Sequence, residues 1–256
     1  MSEQSHPLHR IERIRQEPKR RDLTVSAVGD LSPRMRRITF TSPDLRDFQS
    51  WGADDHVKIF LPDPASPGGT SMRDYTPRYF DAAGESLTID FALHDTGIAT
   101  DWARGAKPGD RLAVAGPRGS AVVSDDFDHY LLVGDETALP AIGRRLEGLR
   151  PGVPVTTIMV VEDAAETQHI ETRAHWQPVW LCRNGGAGGD ATLLLEALKA
   201  WQAPAGDGYA FVAAEAAVAR LLKDYLLDVR HHPKAWLKAA GYWVKGAAGA
   251  TDKMEN

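Results

Sequence analysis

One cysteine stands in 256 residues, and that scarcity removes several kinds of chemistry at once. Cys182 has no partner for a disulfide, and the chain cannot supply the thiolates of an iron–sulfur cluster or a cysteine zinc site. No metal site is expected. Long apolar runs are also missing. Nothing approaches the roughly 18 residues of a membrane-spanning helix, and MSEQSHPLHRIERIRQEPKRR lacks the apolar core of a signal peptide. These absences predict a cytoplasmic protein without membrane insertion. Residues 1–21 hold six Arg or Lys against three acids, which leaves −8 on the rest of a chain whose net charge is −5. An acidic body without aromatic–basic interleaving argues against nucleic acid as a partner. Residues 1–17 read as a basic arm, either solvated or packed outside as a short helix. If electrons move here, an organic cofactor carries them.

What is present falls into two patterns, with 43% hydrophobic residues to fill one large core or two ordinary ones. Over residues 18–124 the segments LTVSAV, RMRRITFT, DHVKIFLP, RDYTPRYF, SLTIDFALH, DRLAVAG and SAVV alternate like strands. Ser32-Pro33, Pro67-Gly68-Gly69 and Lys107-Pro108-Gly109-Asp110 punctuate them as turns. Short strands with regular punctuation predict an antiparallel barrel of the six-stranded type, with one helix near 98–105. After a linker at 124–128, residues 128–246 change period. HYLLVG, VPVTTIMVV, PVWLC and YAFVAA alternate with helical segments such as ALPAIGRRLEGL and ATLLLEALKAW. That order predicts a parallel sheet covered by helices, an α/β nucleotide-binding domain. Residues 247–256 are left as a flexible tail.

Arg73-Asp74-Tyr75-Thr76 is the most informative short stretch. At alternating strand positions Arg73 and Tyr75 share a face. A guanidinium there can grip a pyrophosphate, a phenol ring can lie against an isoalloxazine, and Thr76 can donate to the flavin's redox nitrogen. The same residues also fit a surface arginine beside a core tyrosine. The second candidate is HDTGIATDWA, residues 94–103, which follows a strand and opens a helix. Gly97 permits close approach to the exposed amides, Thr100 adds a hydroxyl, and Trp102 can pack under a ring or fill the barrel edge. An ordinary helix capped by Thr96 or Thr100 fits equally.

In the second half, Gly134-Asp135-Glu136-Thr137 stands where a dinucleotide domain carries its glycine-rich turn. It holds one glycine and two carboxylates, so a tightly held pyrophosphate would be repelled. The turn then either receives nicotinamide transiently or simply caps a helix. Glu162-Asp163 ends the next strand, where an acid can bind an adenosine ribose and disfavour a 2′-phosphate; solvated loop acids are the alternative. His56 and Lys58 share a face of DHVKIFLP, either meeting a substrate or forming an exposed polar face. Arg78, Arg118, Lys238 and Lys245 are basic residues able to line a cleft between the halves and attract an anionic substrate.

DHVKIFLP, RDYTPR, DFALHDTGIATDWA, GPRGS, GDETALPAI and GYWVKG, in this order over about residues 18–246, resemble the siderophore-interacting protein family. That family includes the vibriobactin-utilisation type of ferric-siderophore reductase and belongs to the ferredoxin-reductase-like superfamily. The resemblance implies an FAD-binding barrel, NADH or NADPH as donor, reduced ferredoxin as another candidate donor, and a ferric siderophore as substrate. It implies FAD contacts at Arg73, Tyr75 and Thr76, along Asp90, Phe91, Leu93 and His94, and at Gly97, Ala99, Thr100 and Trp102. Thr137 would approach the flavin from the second domain. Ile98 replaces a common proline, and Val244-Lys245 replaces a more basic pair, which bears on substrate charge pairing and nicotinamide preference. A general flavin or dye reductase and a non-enzymatic siderophore shuttle are the alternatives on this fold.

Overall fold

The computed structural model describes residues 9–185, 189–252 and 254. Where it is described, the leader is a strand rather than a helix or a free arm, with Arg10, Glu12, Arg13 and Arg15 exposed. Ile11–Arg15 (β1) pairs antiparallel with Gly119–Val123 (β9). Its Ile11 packs into the second half's core, which gives the segment an apolar reason to be a strand.

Seven strands build the first half: β2 (Arg20–Ser32), β3 (Met35–Thr41), β4 (Val57–Pro62), β5 (Thr70–Tyr75), β6 (Pro77–Asp81), β7 (Ser86–Ala92) and β8 (Arg111–Ala115). They form one antiparallel sheet in the order β5-β4-β8-β2-β3-β7-β6. The two-residue side-chain period puts Ile38 and Phe40 of β3, Val57, Ile59 and Leu61 of β4, and Leu87, Ile89 and Phe91 of β7 in one core. A helix, α1 (Ile98–Gly105), closes one end by burying Ala99 and Ala103.

The segment RDYTPRYF, read from the sequence as one strand, is two. Tyr75 ends one edge strand and Pro77 begins the other, with only Thr76 between them. Consecutive residues can occupy opposite edges of a seven-stranded sheet only if the sheet curls until its edges lie side by side. Pro77 has no N–H for a continued ladder, so the chain leaves β5 there. The barrel therefore carries seven strands, and Thr76 sits at its seam.

The second half is a five-stranded parallel sheet, with β10 (His129–Gly134), β11 (Pro154–Val161), β12 (His175–Cys182), β13 (Gly208–Glu215) and β14 (Leu237–Trp243) in the order β12-β11-β10-β13-β14. Helix α2 (Leu139–Gly148) covers one face through Leu139, Ile142 and Leu146, against Tyr130, Leu132 and Phe211. Helices α3 (Asp190–Ala200) and α4 (Ala216–Asp224) cover the other through Leu194, Leu198 and Leu222, against Leu131 and Val133. The first of these cores also takes in Met35 and Ala92 from the barrel, so the halves share apolar contacts. Strand order reverses between β10 and β13, the crevice where open α/β sheets take ligands. Gly134 ends β10 there, with Ala213 O only 2.4 Å from where a Cβ would stand.

The tail expected to be flexible turns back instead. Gly241 and Asp252 exchange two backbone hydrogen bonds of 2.9 and 2.8 Å, and Asp252 pairs with Arg220. No helix among the described residues is long and apolar enough to cross a membrane.

Candidate flavin and nucleotide site

On the barrel side, Tyr75 and Phe91 lie with ring centroids 4.5 Å apart, and Phe91 continues to Trp102 at 5.8 Å. Burial pushes the Tyr75 phenol up, so it stays neutral. Two residues earlier on the same face, Arg73 donates to the Met72 carbonyl at 2.8 Å and packs against Gly249 of the returning tail. Beside this aromatic row α1 begins without any side-chain cap. Gly97 precedes it at φ +143°, in space that no neighbouring atom fills within 4 Å of a Cβ position. Free amides at a helix start next to a glycine can take a phosphate, and a guanidinium can grip one.

The remaining expected contacts divide. Thr100 is buried and its hydroxyl accepts the His94 N–H at 3.2 Å, so it braces the 94–100 loop. Arg104 holds the same loop by donating to the His94 carbonyl at 2.8 Å. Trp102 packs between Phe40 and Phe91, while Leu93 and Ala99 sit at the rim of the barrel core. Asp90 faces away from that core and takes a two-pronged ion pair from Arg37, both contacts 2.7 Å. Thr76 is buried at the seam, hydrogen-bonded through its side chain to the Tyr242 phenol.

Across the crevice the decisive residue is Asp135, which is 1% exposed. One carboxylate oxygen accepts from the Thr137 N–H at 2.9 Å and the Thr137 hydroxyl at 2.5 Å. The other accepts from the Glu215 N–H at 3.1 Å and the Trp243 indole at 2.8 Å. Burial, aided by the neighbouring Glu136 charge, pushes this carboxyl up to about 6. Asp135 thereby ties the ends of β10, β13 and β14 together and holds Trp243, whose ring centroid lies 6.5 Å from that of His94 on the barrel. Asp163 and Glu215 likewise cap the turns after β11 and β13 through their own carboxylates.

The expected basic cleft does not assemble as such. Arg78 is buried at the domain interface, with two 2.6 Å hydrogen bonds to Glu147 of α2 and Asp90 at 3.7 Å. Its β6 position sets it against α2, with its donors engaged by these carboxylates. Lys58 pairs with Asp74 on the adjacent strand at 2.7 Å, and Lys238 pairs with Asp54 across the interface. His56, Arg118 and Lys245 remain exposed. Sequence reasoning missed Asp54 and Arg37 as ion-pair partners of Lys238 and Asp90, and Trp243 as more than part of a GYW signature. Their partners are remote in sequence, and no local pattern marks them.

Aromatic platform, guanidinium and open helix start together fit FAD. A family model described as "Siderophore-interacting FAD-binding domain" matches residues 24–71 and 69–121, and one described as "Siderophore-interacting protein" matches residues 127–246. The chain is 34% identical to an NADPH-dependent ferric-chelate reductase of Escherichia coli, over 91% of this chain and 96% of the relative. The crystal structure of a siderophore utilization protein from T. fusca is 36% identical and superposes with a TM-score of 0.87, covering 96% of this chain and 99% of that one. The CS-b5R domains of human Ncb5or share the fold alone, at 14% identity and a TM-score of 0.66, covering 87% of this chain and 69% of that one.

Proposed function

The chain belongs to the siderophore-interacting protein family, and we propose that it is an FAD-dependent reductase of siderophore-bound Fe(III), driven by NADH or NADPH. The observation that carries this reading is a helix, α1, that starts without a side-chain cap beside the Tyr75–Phe91–Trp102 row of the barrel, in a chain whose second half is a parallel sheet with a strand-order reversal. Bound FAD takes two electrons as a hydride and passes electrons on singly, which matches a nicotinamide donor to a one-electron metal.

The protein's own contribution is positioning. Arg73 and the amides after Gly97 would hold the diphosphate, while Tyr75 and Thr76 would fix the ring at the seam. Asp135 holds Thr137 and Trp243 on the opposite wall, so the crevice keeps its width. Arg118 and Lys245 offer exposed positive charge to an anionic ferric chelate. No side chain has to give or take a proton at the iron, because the metal's change is electron transfer. Fe(II) is held far more weakly than Fe(III) by a siderophore, so reduction releases the iron, and the cytoplasm is where both donor and iron demand lie.

Anaerobic titration of the flavin-loaded protein with NADH, NADPH and reduced ferredoxin, read by flavin absorbance, tests this function. Bleaching by a nicotinamide donor, reversed faster by a ferric siderophore than by free flavin or dyes, is the expected result. A protein that binds no added FAD would overturn it.

A further inference from the structure

The carboxyl ends of β10, β11 and β12 converge on one guanidinium. Arg183, the residue after β12, donates through Nη1 and Nη2 to the two Glu136 oxygens at 3.0 and 2.7 Å. Its Nε and Nη2 donate to the two Asp190 oxygens at 2.6 and 2.8 Å. Glu162, following β11, brings a carboxylate oxygen to 3.9 Å from Nη1. The Arg183, Glu136 and Asp190 side chains are each about one-fifth exposed or less, so water screens these pairs only in part. Both prongs of the arginine fork are occupied, and three carboxylates surround one cation.

In a doubly wound sheet this edge receives the adenosine end of a dinucleotide. An acid after the second strand suits a ribose 2′-hydroxyl, whereas a 2′-phosphate calls for an arginine with free donors. Here the arginine is present but its donors are taken. A 2′-phosphate would have to displace a carboxylate or enter an edge whose charge is already net negative. We infer that the Arg183–Glu136–Asp190 cluster selects against the 2′-phosphate, so that this chain takes NADH in preference to NADPH. This rests on the reading that a nicotinamide dinucleotide reduces the protein, and it sets the chain apart from the E. coli relative named as NADPH-dependent.

The test uses the flavin-loaded protein and two probes, ADP-ribose and 2′-phospho-ADP-ribose, with affinities read by calorimetry, alongside flavin bleaching by NADH and NADPH. ADP-ribose should bind about tenfold tighter or more than its 2′-phosphate, the size expected when a like charge meets an edge that cannot pair it. Asp190→Asn and Glu136→Gln each release part of the fork, and each should narrow that ratio by about threefold or more. Equal or tighter binding of the 2′-phosphate to the unaltered protein overturns the inference, as does a ratio unmoved in both variants. If neither probe binds and neither nucleotide bleaches the flavin, the donor assignment itself has failed. Selective bleaching by NADPH would overturn the selectivity alone.

Discussion

In the barrel, α1 starts with no side-chain cap and Arg73 gives its hydrogen bond to a carbonyl next door. At the carboxyl edge of the parallel sheet, Asp135, Asp163 and Glu215 each cap the turn after their own strand, and Arg183 is enclosed by acids. Under the proposed function, open donors in the barrel would hold an anionic ligand that stays, and donors already satisfied would leave room only for one that comes and goes. A resident flavin and a transient nicotinamide nucleotide call for this division. The two halves thus differ less in architecture than in what each leaves unpaired.

The comparison presumes that the halves keep a fixed relation, and Arg78→Ala is the strongest way to break it. Removing this cation strips Glu147 of both guanidinium bonds, while Asp90 keeps Arg37, and the cost expected is about 3–5 kcal/mol of stability in urea unfolding. A loss within the range of a surface pair would mean that Arg78 does not hold the domains together.

Arg73→Ala acts on the open side alone. Loss of its charge-assisted contacts should weaken FAD binding by about 1.5–3 kcal/mol in a flavin titration, with the fold intact. Unchanged retention of flavin would move the diphosphate site elsewhere.

Asp135 sharpens the closed side through pH. Its folded-state carboxyl is raised from 3.8 to about 6, so the folded protein keeps a proton that the unfolded chain has released. The stability it contributes is full below about pH 4 and is lost as pH rises through about 6, a change on the order of 3 kcal/mol. Asp135→Asn should flatten the stability profile across this window, measured by thermal unfolding at a series of pH values. A profile with the same slope in the variant would assign that slope to another group.

Lys58→Ala should matter least. Its pair with Asp74 is partly exposed, so about 0.2–1 kcal/mol of stability is at stake, and flavin affinity should stay as it was. A large loss of FAD would return Lys58 to the site.

Much of the fold was legible because its causes are local. The alternation in SLTIDFALH and DHVKIFLP places Leu87, Ile89, Phe91, Val57 and Ile59 inside, as observed. The single-glycine turn after HYLLVG announced a site without a tight diphosphate cradle, and Asp135 closes that turn on itself. Two errors share one origin. RDYTPRYF reads as a continuous strand because its alternation continues through Thr76, yet the closing sheet sends its two parts to opposite edges. The basic arm reads as solvated because its charges are local, while β9, which captures it, lies about a hundred residues on.

By itself the sequence determined the order of barrel and parallel sheet, the strand and helix periods, and which candidate flavin contacts lie close together along the chain. Those follow from side-chain alternation, turn chemistry and a helix start, all of which act within a few residues. The tertiary structure decided which polar groups are free. Arg78 meets Glu147, Asp135 meets Trp243 and Arg183 meets Glu136 only after folding brings distant segments together. A charge's availability depends on the partners within a few ångströms of it, and those partners are chosen by the packing of whole elements.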